Sequence, residues 1–214
     1  MNDPGLNQLL QWSVEHSDAS KEAAPTDQQR DPAKGLDPAV LAQLLGAPSD
    51  ADRMKDAMHA IRAPAEQVDL ENKLIAIDNL EQLVEQIDNA NNMTPLGLWT
   101  PLLELLEHPE PELRASTAGV VKTIVQNNVQ SQERLLALDG IQKLVGVLTG
   151  DMEKAPRKRA AGALSSAVRN YQPSLNELEK QLPEDLKTVG NVDAGDMEAV
   201  DAVITRLREF ADRA

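Results

Sequence analysis

Catalysis needs groups that converge, so histidines, cysteines and paired carboxylates are the residues to weigh first. The chain has three histidines, His16, His59 and His108, in three separate segments. None has a partner at i,i+4 that would set two imidazoles on one helix face for a metal, and all three read as surface residues. There is no cysteine, which removes disulfides, thiol nucleophiles and sulfur-ligated zinc or iron–sulfur centres together. Carboxylates abound, yet Asp and Glu at helix starts serve as caps far more often than as acid–base pairs. The run DAGDMEAVD from Asp193 to Asp201 has the oxygens of a calcium loop but not its glycine position or its terminal glutamate spacing. No phosphate-cradling glycine loop, dinucleotide fingerprint or serine elbow is present. The expectation is a chain without catalytic residues, metal or cofactor, which works by binding.

What remains is a repeated pattern of amides. TAGVVKTIVQNN, ending at Asn127 and Asn128, lies over AAGALSSAVRNY, ending at Asn170 and Tyr171, with Ala118 over Ala161, Gly119 over Gly162, Val125 over Val168 and Asn127 over Asn170, all 43 residues apart. That offset falls in the ~40 to 47 residue period of HEAT and armadillo units. A longer helix ending at Ile87 to Asn92 holds the matching place one unit earlier. Gly119 and Gly162 read as sites of close helix packing. Asn91, Asn92, Asn127 and Asn170, each expected at the end of a unit's third helix, either satisfy helix-terminal carbonyls or take a left-handed cap, or else line a concave surface and hydrogen-bond to a partner's backbone, and the readings are compatible.

The elements that must position these amides are helical. From Asp69 onward Leu70, Leu74, Ile77, Val84 and Ile87 fall on one stripe, opposite Glu71, Asp78, Gln82 and Glu85, which predicts one long helix. Asp37-Pro38 starts a helix that Gly46 stops, and a second runs from about Asp50 to Ile61. Thr94-Pro95 predicts the start of the next helix and Pro111-Glu112 of another. Helices follow over Leu113 to Val125, Ser131 to Leu138, Ile141 to Leu148 and Arg159 to Val168. Asp193 or Asp196 caps a terminal helix whose Met197, Val200, Val203, Ile204, Leu207 and Phe210 close the stack. The fold class is therefore all-α, an armadillo/HEAT-like right-handed superhelical repeat stack. Residues 18–37 have no apolar period and carry Pro25, Pro32 and Gly35, the marks of a flexible linker. The expected organisation is a flexible N-terminal segment over residues 1–17, that linker, and a repeat domain over 38–214.

Charge limits the partners. With 21 Lys plus Arg against 35 Asp plus Glu the net charge is -14, which disfavours nucleic acid and anionic membrane alike. The one basic cluster, Lys154, Arg157, Lys158 and Arg159, reads as a solvated helix start, with a localisation patch or an acidic partner as the alternatives. Absence of cysteine, of a secretory signal and of any membrane-spanning run predicts a cytoplasmic protein, and capped ends predict a monomer.

The blocks LLQWSVEHS, LENKLIAIDNLEQLVEQIDNANN, LGLWTPLLELL, PELRASTAGVVKTIVQNN, ALSSAVRNYQP and DAGDMEAVD together resemble the fungal Fes-type nucleotide exchange factors of heat-shock-70 chaperones. The resemblance covers nearly the whole chain, with the linker least alike. It implies a curved armadillo domain that grips one lobe of the chaperone's ATPase domain and accelerates ADP release, and an N-terminal segment that helps release the chaperone's client. Where motifs match, it implies chaperone contacts at Asp88, Asn89, Ala90, Asn91 and Asn92, at Gln126, Asn127 and Asn128, and at Arg169 and Asn170. Leu9, Leu10 and Trp12 match the client-release segment. The chain stops short of longer members, whose C-terminal contacts are not carried over. The alternative is an armadillo adaptor holding an extended peptide in its groove, although such receptors use ladders of Trp with Asn and here only Asn recurs.

Overall fold

A long amphipathic stripe must be buried by a neighbour, and in this chain each stripe is buried by the next copy of itself. The computed structural model describes residues 46, 48–188 and 190–213. The expected release segment, the linker and the helix over 38–45 lie outside the described residues. From Asp50 the described chain is a single unit of α1 (Asp50–Arg62), α2 (Leu70–Val84), α3 (Ile87–Asn92), α4 (Trp99–Glu104) with a 3-10 turn (Leu105–Glu107), α5 (Pro111–Val125), α6 (Val129–Ala137), α7 (Gly140–Gly150), α8 (Lys154–Val168), α9 (Gln172–Gln181) and α10 (Met197–Asp212). No strand occurs among the described residues, and the architecture is an all-α repeat stack.

The long helices are the spine. α2 packs on α5, α5 on α8 and α8 on α10, while the shorter α3, α6 and α9 form a second row, α3 on α6 and α6 on α9. Val84, Val125 and Val168, the last residues of α2, α5 and α8, are all buried. With so few aromatics the core is aliphatic, and burying each Leu, Ile or Val side chain contributes about 1.5–3 kcal/mol. Starts are set by local chemistry. Asp69 Oδ1 accepts from the Asn72 amide at 2.9 Å, Pro111 occupies the first turn of α5, and Asp196 Oδ1 accepts from the Glu198 and Ala199 amides at 3.1 Å each. On α10, Val200, Val203, Ile204 and Leu207 face α8 as expected.

Four expectations are corrected. The predicted long helix from Asp69 breaks after Val84, because Gln86 is extended (ψ 126°) and α3 begins anew at Ile87. The turn lets Asn89 Nδ2 donate to Leu83 O at 2.9 Å, satisfying a carbonyl at the end of α2, and brings Ala90 and Met93 into the core. Thr94-Pro95 does not start a helix. Residues 93–98 form a turn closed by the Leu98 amide on Met93 O at 3.0 Å, with Gly97 at φ +69°, and α4 begins at Trp99.

Third, Gly119 and Gly162 do not bring two backbones together. A Cβ at Gly119 would meet the ends of Arg159 and Glu81 at 3.4 Å, and one at Gly162 would meet Lys122 Cδ at 3.8 Å, so the glycines leave room for long side chains crossing from neighbouring helices. Fourth, the basic cluster is no simple solvated face. Arg157 is buried and donates to the carbonyls of Asp151, Met152, Ala211 and Arg213 at 2.8–3.3 Å, and Lys154 and Lys158 pair with Asp212. The start of α8 thus clamps the end of α10.

Candidate functional site

Where α5 gives way to α6, Gln126 is extended, Asn127 turns left-handed (φ +54°), and Asn128 caps α6 by accepting from the Ser131 amide at 3.3 Å. The α8–α9 junction repeats this geometry. Arg169 is extended, Asn170 sits at φ +57°, and Tyr171 takes the cap position with φ and ψ within 10° of those of Asn128. The 43-residue spacing of Asn127 and Asn170 is therefore a repeat of backbone conformation. Asn is one of the few residues that tolerates the left-handed region, which accounts for its recurrence.

Asn91 and Asn92 do not share that place. The α2–α3 junction has no left-handed residue, and both lie on α3, the first helix of the next unit, rather than at the end of a third helix. Counted from the helix starts, 42 residues apart, Asn91 matches Glu133, and the buried Ala90 matches Gln132. Asn91 Oδ1 accepts from Asn128 Nδ2 at 3.0 Å, and Gln132 Nε2, only 2% exposed, donates toward the carbonyls of Ser166, Ala167 and Arg169 at 3.0–3.2 Å. Each first helix thus sends one amide into the junction of the unit after it. Gln132 carried no signal in the sequence.

The ten residues carried over by motif divide by burial. Asn89 is buried and bound to Asp50 Oδ2 and Leu83 O, Ala90 is 3% exposed in the core, and Asn91 and Asn128 are tied to each other. Arg169 is half-buried and bonded to Ser165 Oγ, Met197 Sδ and Asp201. Asp88, Asn92, Gln126, Asn127 and Asn170 are exposed, and among the described residues no side chain engages theirs. The structure thus brings the α3 and α6 members together along one edge, with Arg169 and Asn170 at the next junction. Leu9, Leu10 and Trp12 lie outside the described residues.

Two apolar residues of this edge depart from the sequence reading, Ile87 because its spacing places it on the apolar stripe of α2 and Val129 because nothing singles it out. Ile87 and Val129, the first residues of α3 and α6, are 59% and 53% exposed. Burial above all, and then the Glu133 carboxylate, hold the Tyr171 phenol above its ordinary range, so it stays neutral. Such a surface offers amide donors and acceptors, apolar tips and carboxylates. Among the described residues no group of His, Asp or Glu is placed to hold a metal, and no helix is long and apolar enough to cross a membrane.

The profile of the family described as "Nucleotide exchange factor Fes1" matches residues 6–93. A Gibberella zeae protein named Hsp70 nucleotide exchange factor FES1 is 49% identical over the whole of both chains, and one of that name from Coccidioides immitis is 46% identical over 97% of this chain and 99% of its own. The Saccharomyces cerevisiae protein of that name is 40% identical over 78% of this chain and 57% of its own length. With a stack of helical units, junctions repeated from unit to unit and full-length relatives at this level of identity, the chain belongs to the Fes1 family of Hsp70 nucleotide exchange factors.

Proposed function

We propose that the chain binds the nucleotide-binding domain of an Hsp70 chaperone and accelerates ADP release, without chemistry of its own. The observation that supports this is the edge just described, where side chains with free hydrogen-bonding groups recur on successive units of a stack whose relatives bear that name. The mechanism is a population shift. If the exposed amides and carboxylates bind an open, nucleotide-free conformation better than the closed ADP-bound one, ADP escapes faster and ATP enters. Linkage then requires ADP to weaken the exchange factor's own hold on the chaperone by the same factor.

On this reading residues 1–17, with Leu9, Leu10 and Trp12, form an apolar segment that competes with the chaperone's client, residues 18–37 tether it, and 38–214 bind the chaperone as a monomer in the cytoplasm. A peptide-holding adaptor is less well supported. Trp99 is 2% exposed inside the core, so among the described residues no tryptophan is available for the aromatic ladder such adaptors use.

The test is the dissociation rate of fluorescent ADP from a purified Hsp70 on titration with the full chain. Acceleration that saturates with concentration is expected, and an unchanged rate refutes the reading.

A further inference from the structure

Exposed large hydrophobic side chains are few among the described residues, and two of them fall on equivalent ground. Ile87 and Val129 each open the first helix of a unit, and α3 and α6 pack together, so the two tips stand on adjacent rungs of one edge. Neighbouring helices in such a stack lie ~8–10 Å apart, the length of about three residues of extended chain at ~3.3 Å each. Carboxylates dominate the exposed charge beside the tips. Residues 85–92 and 126–133 contain the exposed carboxylates of Glu85, Asp88 and Glu133 and no Lys or Arg, and the cation that follows on α6, Arg134, is half-buried. Beside the tips in the chain are Gln86, Gln126, Asn127 and Gln130, exposed residues whose side-chain amides no side chain or backbone group engages among the described residues. An amide carries both a donor and an acceptor, which is what an extended backbone presents at each residue.

We infer that the chaperone segment meeting this edge is extended, carries Lys or Arg, and crosses the rungs with apolar side chains seated on Ile87 and Val129. The carboxylates take its cations and the free amides take its backbone. The inference rests on the chaperone-binding reading above and gives that partner surface a stated chemistry.

The experiment measures the affinity of the full chain for the full-length chaperone by fluorescence anisotropy from about 50 to about 300 mM salt, where exposed charges go from weakly to strongly screened. One variant combines Glu85→Lys with Glu133→Lys, the other Ile87→Ser with Val129→Ser. All four side chains are exposed, and thermal melts must match the parent. The parent should weaken with salt. The lysine pair should bind about tenfold more weakly at low salt and lose the salt dependence, and the serine pair should bind about tenfold more weakly at every salt concentration with the dependence intact. Either pair binding as the parent does, or the lysine pair binding more tightly, overturns the inference. A parent that neither binds the chaperone nor speeds ADP release refutes instead the reading on which it rests.

Discussion

Asn128 and Asn91 hydrogen-bond across two units: Asn128 Nδ2 donates to Asn91 Oδ1 at 3.0 Å while Asn128 Oδ1 accepts from the Ser131 amide. One buried side chain thus caps α6 and fixes α3 against the α5–α6 junction. Asn128→Ala removes both bonds and leaves the Asn91 carboxamide short of a partner. The expected loss is about 2 kcal/mol, the sum of a cap and a partly buried hydrogen bond. Urea denaturation checks it, and a lowering of the melting temperature by about 4–8 °C accompanies it.

The left-handed residues make a sharper prediction, since side-chain contact and backbone conformation separate cleanly there. Asn127 and Asn170 are exposed at φ +54° and +57°, so their stabilising role is conformational. Replacement by Gly should change stability by less than about 0.5 kcal/mol, whereas a β-branched residue such as Val should cost about 1–2 kcal/mol at each. Equal effects of Gly and Val in denaturant titrations would show that the conformation is not what selects Asn.

These two junctions also show what the sequence made legible. Asn127 and Asn170 stand out because few residues fill a left-handed position, and the stripes of α2, α5 and α8 stand out because helical burial imposes its period on apolar residues. The break after Val84 left no such mark. Glu85 and Gln86 are good helix formers with no glycine or proline near, and the contacts that go with the break, Asn89 Nδ2 on Leu83 O and on Asp50 Oδ2, form only once the chain has turned and α1 is in place. α9, for which the sequence offers no stripe, buries only two apolar residues, Leu175 and Leu178, beside Ser174 in a decapeptide otherwise mostly polar. Gln132 looks like a surface glutamine until the stack places the end of α8 above it.

pH dependence should centre on the corner where the loop before α5 meets the end of α7. Burial first, then the positive charge of Lys73, holds the His108 imidazole below its ordinary value. The unfolded chain therefore takes up this proton first, and stability is lost as pH falls from about 6.5 toward the lower folded value. The Asp151 carboxyl is held below its ordinary value chiefly by the hydrogen bonds from Arg114, at 2.5 and 2.8 Å, so its contribution is complete above about pH 4 and lost in more acid solution. His108→Gln should flatten the first slope and leave the second, in stability measured from pH 8 down to pH 3.

Arg157 should behave as a structural cation rather than a surface one. Its guanidinium holds carbonyls from Asp151, Met152, Ala211 and Arg213, and it has no carboxylate partner among its hydrogen bonds. Arg157→Met keeps much of the stem volume but leaves those carbonyls without a donor, and about 2–3 kcal/mol of stability should go. Hydrogen exchange should show the loss first at the C-terminal turn of α10. Lys154→Ala, on an exposed pair with Asp212, should change stability by less than about 1 kcal/mol.

The burial of Ala90 decides how the chaperone-binding edge can be tested. Ala90 is 3% exposed, so Ala90→Arg forces a long cation into the packing between α3 and the core and should cost several kcal/mol, or unfold α3 outright. A loss of ADP-release activity in that variant would report on the fold as much as on the surface. Asn92→Ala with Gln126→Ala removes two exposed side chains that engage nothing within the described chain, and should leave stability within about 0.5 kcal/mol of the parent. If the edge meets the chaperone, this double variant needs a several-fold higher concentration to reach half-maximal acceleration of ADP release, with an unchanged melting curve. Unaltered activity at an unaltered melting temperature would move the contact to the face of the long helices, where Glu81, Lys122 and Arg159 cross the glycine positions.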